Sequence, residues 1–127
     1  MDQTTLVTTD IAIGSKVLEL LDRSNAQISL AMWLRLPEYD DWRLALSSKS
    51  LDGEEPARAY GRVHEVLDKA GISFQQTPTL MILKMSDPFV RALRKTFRKT
   101  KTVEGMRLGG QMIGGRFVDD AIVYRIQ

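Results

Sequence analysis

The chain has 127 residues, 43% hydrophobic and 27% charged, with nine glycines and four prolines, which is the make-up of one soluble globular domain with a single core of ordinary size. It has no cysteine, which excludes disulfides, thiolate nucleophiles and cysteine-held zinc or iron–sulfur centres. The net charge is only +2, yet residues 1–90 carry nine basic and thirteen acidic side chains whereas 91–127 carry nine basic and three acidic, so positive charge is concentrated in the last third. No apolar run approaches the ~18 residues a membrane span needs. Met1-Asp2-Gln3-Thr4-Thr5-Leu6 has neither a basic leader nor an apolar stretch, so cytoplasmic residence without membrane contact is the expectation.

In chain order, Ile11, Val17, Leu18 and Leu21 recur at helical spacing within 10–23, and Thr9 or Asp10 suits the N-cap of this first helix. From Gln27 the period becomes two. Ile28, Leu30, Met32, Leu34 and Leu36 form one face, and Ser29, Ala31, Trp33 and Arg35 the other. The turn Pro37-Glu38-Tyr39-Asp40-Asp41 leads into Trp42, Leu44 and Leu46, which alternate with Arg43, Ala45 and Ser47, predicting a β-hairpin.

Glu54-Glu55-Pro56 opens a second helix that runs to Ala70 and stops at Gly71, with Tyr60, Val63, Leu67 and Ala70 as its apolar stripe. The nearly unbroken apolar run Thr79–Met85 predicts a strand covered on both faces, in the centre of the sheet. Asp87 caps a third helix with Pro88 at its first position and Phe89, Val90, Leu93 and Phe97 on its buried side. Two strands over 105–113 and 116–126 meet at Gly114-Gly115, a pair suited to a tight turn. The order α-β-β-α-β-α-β-β predicts a single α+β domain over 1–127, a mostly antiparallel five-stranded sheet packed with three helices.

The first candidate site lies on the third helix. Arg91, Arg94, Lys95 and Arg98 stand at i, i+3, i+4 and i+7, a stripe turned away from the phenylalanines, and Lys99 and Lys101 extend it. No acid interrupts residues 88–101. Such a row suits the phosphates of a nucleic acid; it equally suits a solvated face whose cations complement the helix dipole. The second candidate is a sheet face bearing Trp33, Arg35 and Arg43, joined by Arg107 and Arg125 from the last two strands. Read with 36 and 42 paired, Arg35 opposes Arg43. Opposed like charges are destabilising, so this face calls for compensating acids, an anionic partner that stacks on Trp33, or burial in a homodimer.

Other motifs have sufficient structural readings. The segment 109–115 has glycines at P-loop-like spacing but lacks the Lys-Ser/Thr pair and a following helix. Asp119 and Asp120, adjacent in a strand, point to opposite faces and share no metal. His64, the only histidine, lies at the edge of the second helix's apolar stripe without a recognisable nucleophile. No cofactor or metal is implied.

Trp33, the Trp42-Arg43-Leu44 hairpin strand, Ser86-Asp87-Pro88 with Arg91-Ala92-Leu93-Arg94, and Asp119-Asp120-Ala121 with Tyr124-Arg125 together give a chain that resembles a group of short uncharacterised bacterial α+β proteins. The resemblance covers most of the chain and implies a small bacterial α+β protein, with no assigned activity to carry over. The expected function is a non-enzymatic binding or accessory module, a homodimer with an anionic partner such as nucleic acid. The alternatives are a hydrolase or nuclease using dispersed carboxylates or His64, and a homodimeric protein-interaction module.

Overall fold

A computed structural model describes residues 6–100 and 102–127; Lys101 and positions 1–5 lie outside the described residues. Helix α1 (Thr8–Arg23) starts two residues earlier than its periodicity suggests, with Val7 at the N-cap. Asp10 is not the cap residue itself; from the first turn its carboxylate accepts the Val7 N–H at 3.0 Å. Strands β1 (Leu30–Arg35) and β2 (Arg43–Ser47) form the expected antiparallel hairpin. A short helix α2 (Lys49–Asp52), absent from the expected order, precedes α3 (Pro56–Lys69). A single 3₁₀ turn (Phe74–Gln76) then leads to β3 (Leu80–Leu83), which pairs with β2 in parallel. A parallel pair needs a long crossover, and α2 with α3 supplies it.

Helix α4 (Pro88–Phe97) begins as its sequence requires, with the Asp87 carboxylate accepting the Phe89 N–H at 2.8 Å and Pro88 at the first position. Strands β4 (Gln111–Ile113) and β5 (Arg116–Val118) make a separate two-stranded ribbon around Gly114-Gly115. Strand β6 (Asp120–Ile126) then pairs antiparallel with β1. The main sheet is therefore mixed and four-stranded, in the order β3-β2-β1-β6 with two antiparallel pairings and one parallel, where a mostly antiparallel sheet of five was expected. The second predicted hairpin is only partly kept. Its far half, 105–108, lies beside β6 through Leu108 N–H to Ala121 O and Val123 N–H to Met106 O, while at Asp119 the chain turns away and donates its N–H to Arg35 O at 3.0 Å. One predicted strand is thus divided into β5 and β6.

The Thr79–Met85 run forms an edge strand, not the central one. Its apolar character reflects cover from the helices, since Leu80 packs with the α1 and α3 residues and Leu83 with those of α4. The Tyr60 hydroxyl accepts the edge-facing Ile82 N–H at 2.9 Å, which blunts an otherwise open edge.

The central strands β1 and β2 are buried on both faces. Leu30, Met32, Leu34 and Leu36 share a core with Phe89, Val90 and Leu93 of α4 and with Val118, Ala121 and Val123. Ala31, Trp33, Leu44 and Leu46 share another with Val17, Leu18 and Leu21 of α1 and Ala59, Val63 and Leu67 of α3. The face expected to be open is thus a second core, and Trp33 is 3% exposed. Burying each large apolar side chain contributes roughly 1.5–3 kcal/mol, which is why a tryptophan on a strand face attracts a covering helix.

Candidate functional site

Phe89, Val90 and Leu93 fix the rotation of α4 by packing on the sheet, with Phe97 half-buried at its end. That rotation turns Arg91 and Lys95 to solvent, followed by Arg98, the C-cap residue just beyond the last turn. Arg94 lies closer to the body of the protein, and its Nε donates to the main-chain oxygen of Gln127 at 2.5 Å. Among the described residues no carboxylate forms an ion pair with Arg91, Lys95, Arg98 or Lys99.

The second group is built differently. The observed register pairs Leu34 with Arg43, one residue away from the expected Arg35–Arg43 pairing. Because a one-residue shift moves side chains to the opposite face, Arg43 leaves the Trp33 face. Its guanidinium sits 3.5 Å from the centre of the Tyr39 ring and bonds to Asp41 at 3.1 Å. Arg35 lies across from Asp120, not from a like charge. Arg107 pairs with Asp120, and Arg125 holds both oxygens of Asp22 at 2.8 Å while donating to Ile28 O. Through this bond Arg125 lowers the Asp22 carboxyl below its ordinary value, against a smaller opposing effect of burial, and its own pKa rises for the same reason. The five residues therefore do not form one contact surface. Trp33 is core, and Arg43, Arg107 and Arg125 are each engaged by an acid of their own.

The Trp33 indole donates from Nε1 to Tyr124 Oη at 2.9 Å, and the Tyr124 hydroxyl donates to Ile11 O at 2.5 Å in α1. Burial pushes the Tyr124 phenol above 10.0, with the Trp33 bond opposing. The phenol is therefore a structural strut held in its neutral form.

Sequence periodicity passed over a cleft between the start of α4 and the β4–β5 ribbon. About 530 Å³ in volume, it is lined by Glu38, Asp87, Pro88, Gly114, Gly115, Arg116 and Phe117. Gly114, at φ +55°, lies so close to α4 that a Cβ there would stand 2.7 Å from Phe89 Cα. Arg116 reaches within 6.0 Å of the Phe89 ring centre and 3.6 Å of the Glu38 carboxylate. Across the ribbon Met112 pairs with Phe117, and the two are 62% and 41% exposed. The available signal was symmetry, since these two apolar residues stand equally far from the Gly114-Gly115 turn.

The residues weighed for hydrolysis do not converge. The His64 ring stands 4.9 Å from that of Phe74, centre to centre. Asp120 is bound to Arg107 and to the Ala121 N–H. Among the described residues no group of three His, Asp or Glu side chains is placed to hold a metal ion, and no helix is long and apolar enough to cross a membrane. No protein-family model matches the chain, and neither curated proteins nor solved structures give a significant match.

Proposed function

We propose that the protein is a non-enzymatic binding or accessory module whose α4 surface docks a polyanion, with nucleic acid as the first candidate. The observation that carries this reading is the contrast between two sets of cations. Arg43, Arg107 and Arg125 are each neutralised by an acid, whereas Arg91, Lys95 and Arg98 stand in a row on one helix face with no acid among the described residues paired to them. These three like charges, at i, i+4 and i+7, repel one another by a few tenths of a kcal/mol per neighbouring pair. A polyanion relieves that repulsion and releases its own counterions.

Phosphate contacts from Arg91, Lys95 and Arg98, with Arg94 as a fourth, give a log–log salt slope of about −3 to −4 on duplex DNA. The test is a titration of nuclease-treated protein with labelled nucleic acid at low and physiological salt, beside Arg91→Glu/Lys95→Glu. Both positions are exposed, so their reversal leaves the Arg94–Gln127 bond in place. The variant should keep its fold while its salt slope becomes shallower by about 2. Unchanged affinity and slope would remove α4 as the binding surface.

The hydrolytic alternative would draw on Glu38 and Asp87, the two carboxylates of the cleft. Asp87 already caps α4 and Glu38 pairs with Arg116. Self-association is not part of the proposal, because helices cover the sheet face that was to mediate it.

A further inference from the structure

We infer that the bound form of the nucleic acid is a single strand, its phosphates lying along α4 and its bases resting on Phe117 and Met112 at the β4–β5 ribbon. This rests on the reading of α4 as a polyanion surface and adds the element that selects the strand state. Alternation along the ribbon turns Ile113 and Val118 to the core, with Arg116 towards Phe89, and so turns Met112 and Phe117 outward. Directly opposed residues in an antiparallel pair have Cβ atoms about 5 Å apart. The thioether and the phenyl ring thus make one continuous apolar platform on an element whose inward face is already packed. Its exposure is not required by the fold.

The charges around the platform decide which part of a nucleic acid it meets. Phe117 lines the cleft together with Glu38, Asp87 and Arg116, and Arg116 lies 3.6 Å from the Glu38 carboxylate. With Arg116 offsetting one of the two carboxylates, the cleft offers phosphate no net positive charge, while the carboxylate oxygens not taken up by Arg116 and the Phe89 N–H accept hydrogen bonds from the amino groups on base edges. The cation row begins at Arg91, three residues beyond Pro88 on the cleft wall, a rise of about 4.5 Å along the helix. The cleft wall and the first cation of the row therefore lie within one turn of each other along α4. In a duplex the base faces are stacked and hidden, so only an unpaired base reaches an aromatic side chain this way.

The test uses the full chain and labelled oligonucleotides of mixed sequence, as single-stranded RNA, single-stranded DNA and the matching duplex. It compares wild type, Phe117→Ala, Phe117→Trp and Arg91→Glu/Lys95→Glu, each checked by thermal unfolding. The wild type should prefer single strands. Phe117→Ala should weaken single-strand binding roughly tenfold with the salt slope kept, leave duplex binding unaltered, and be rescued by Phe117→Trp. The charge variant should lose salt-steep affinity for both forms. Single-strand binding indifferent to Phe117→Ala but lost in the charge variant overturns the base platform and leaves the α4 reading standing, as does a wild-type preference for duplex. Binding of none of the three probes by the wild type overturns both.

Discussion

Trp33 and Tyr124, 91 residues apart in the chain, are joined by an indole-to-phenol hydrogen bond of 2.9 Å in the layer between the sheet and α1. The phenol then donates to Ile11 O, so one hydroxyl ties β1, β6 and α1 together. Strand β6 has one residue more than β1 between the Met32–Val123 and Ala31–Arg125 pairs, and that extra residue is Tyr124. A β-bulge re-aims a side chain, and here it aims the hydroxyl at the tryptophan.

Tyr124→Phe should cost about 1–3 kcal/mol, because the buried indole N–H loses its acceptor. Urea unfolding at neutral pH measures this. A change of a few tenths of a kcal/mol would mean that water takes the hydroxyl's place.

Gly14→Ala should also destabilise, against the usual helix preference of about 1 kcal/mol for alanine. An added Cβ would stand 2.8 Å from Trp33 Nε1 and 2.9 Å from Tyr124 Cζ, so α1 would have to lift from the sheet. Since both substitutions act on one contact, Gly14→Ala should cost less in the Tyr124→Phe background. A double-mutant cycle with no coupling would show that the two sites act independently.

The Asp22–Arg125 pair gives a pH dependence whose sign is set by the lowered Asp22 pKa. A carboxyl depressed in the folded state adds stability above its unfolded value, near 3.8, and that contribution fades as pH falls through the lower folded value. Asp22→Asn should therefore lower stability at pH 7 by up to about 1 kcal/mol, a modest figure because the pair is partly solvated. The gap to wild type should close in acid below pH ~4. Denaturant midpoints across that range provide the check, and a gap that widens on acidification would contradict the pairing.

Gly114→Ala combines a left-handed backbone angle with a collision against the main chain at Pro88 and Phe89. Alanine pays roughly 1 kcal/mol for the angle alone, and the contact adds to it. The ribbon should separate from α4, seen as faster amide exchange over 111–118 with the centre of the sheet still protected.

Helix α4 was legible because its signals are local: an Asp-Pro start, a phenylalanine and leucine stripe, and cations on the opposite side. The β1–β2 hairpin was legible too, but its pairing was off by one residue, enough to place Arg43 on the wrong face. Alternation states which residues share a face and is silent on what covers it. The cover over Trp33 comes from α1, through a glycine at 14 and a tyrosine at 124, far apart in the chain. The edge position of β3 follows from the parallel crossover, and the break at Asp119 from a bond to Arg35 O. Long-range pairing decides both, so no window of neighbouring residues contains either. The cleft at Phe117 escaped for the same reason, since its two walls are α4 and a ribbon that follows it by more than ten residues.

Because β6 is the neighbour of β1, the sheet is made of partners synthesised far apart in time. The ribosome delivers β1 and β2 early, and roughly eighty more residues must follow before β6 can cover the inner edge of β1. At about 5–20 residues per second, that strand waits several seconds with a buried-type sequence, Leu30 to Leu34, and an unsatisfied backbone. A nascent chain in this interval is a substrate for holding factors and a template for strand pairing with its neighbours on the same message. The order of the strands thus sets a period of vulnerability during synthesis that the finished molecule, with both faces of β1 covered, no longer shows.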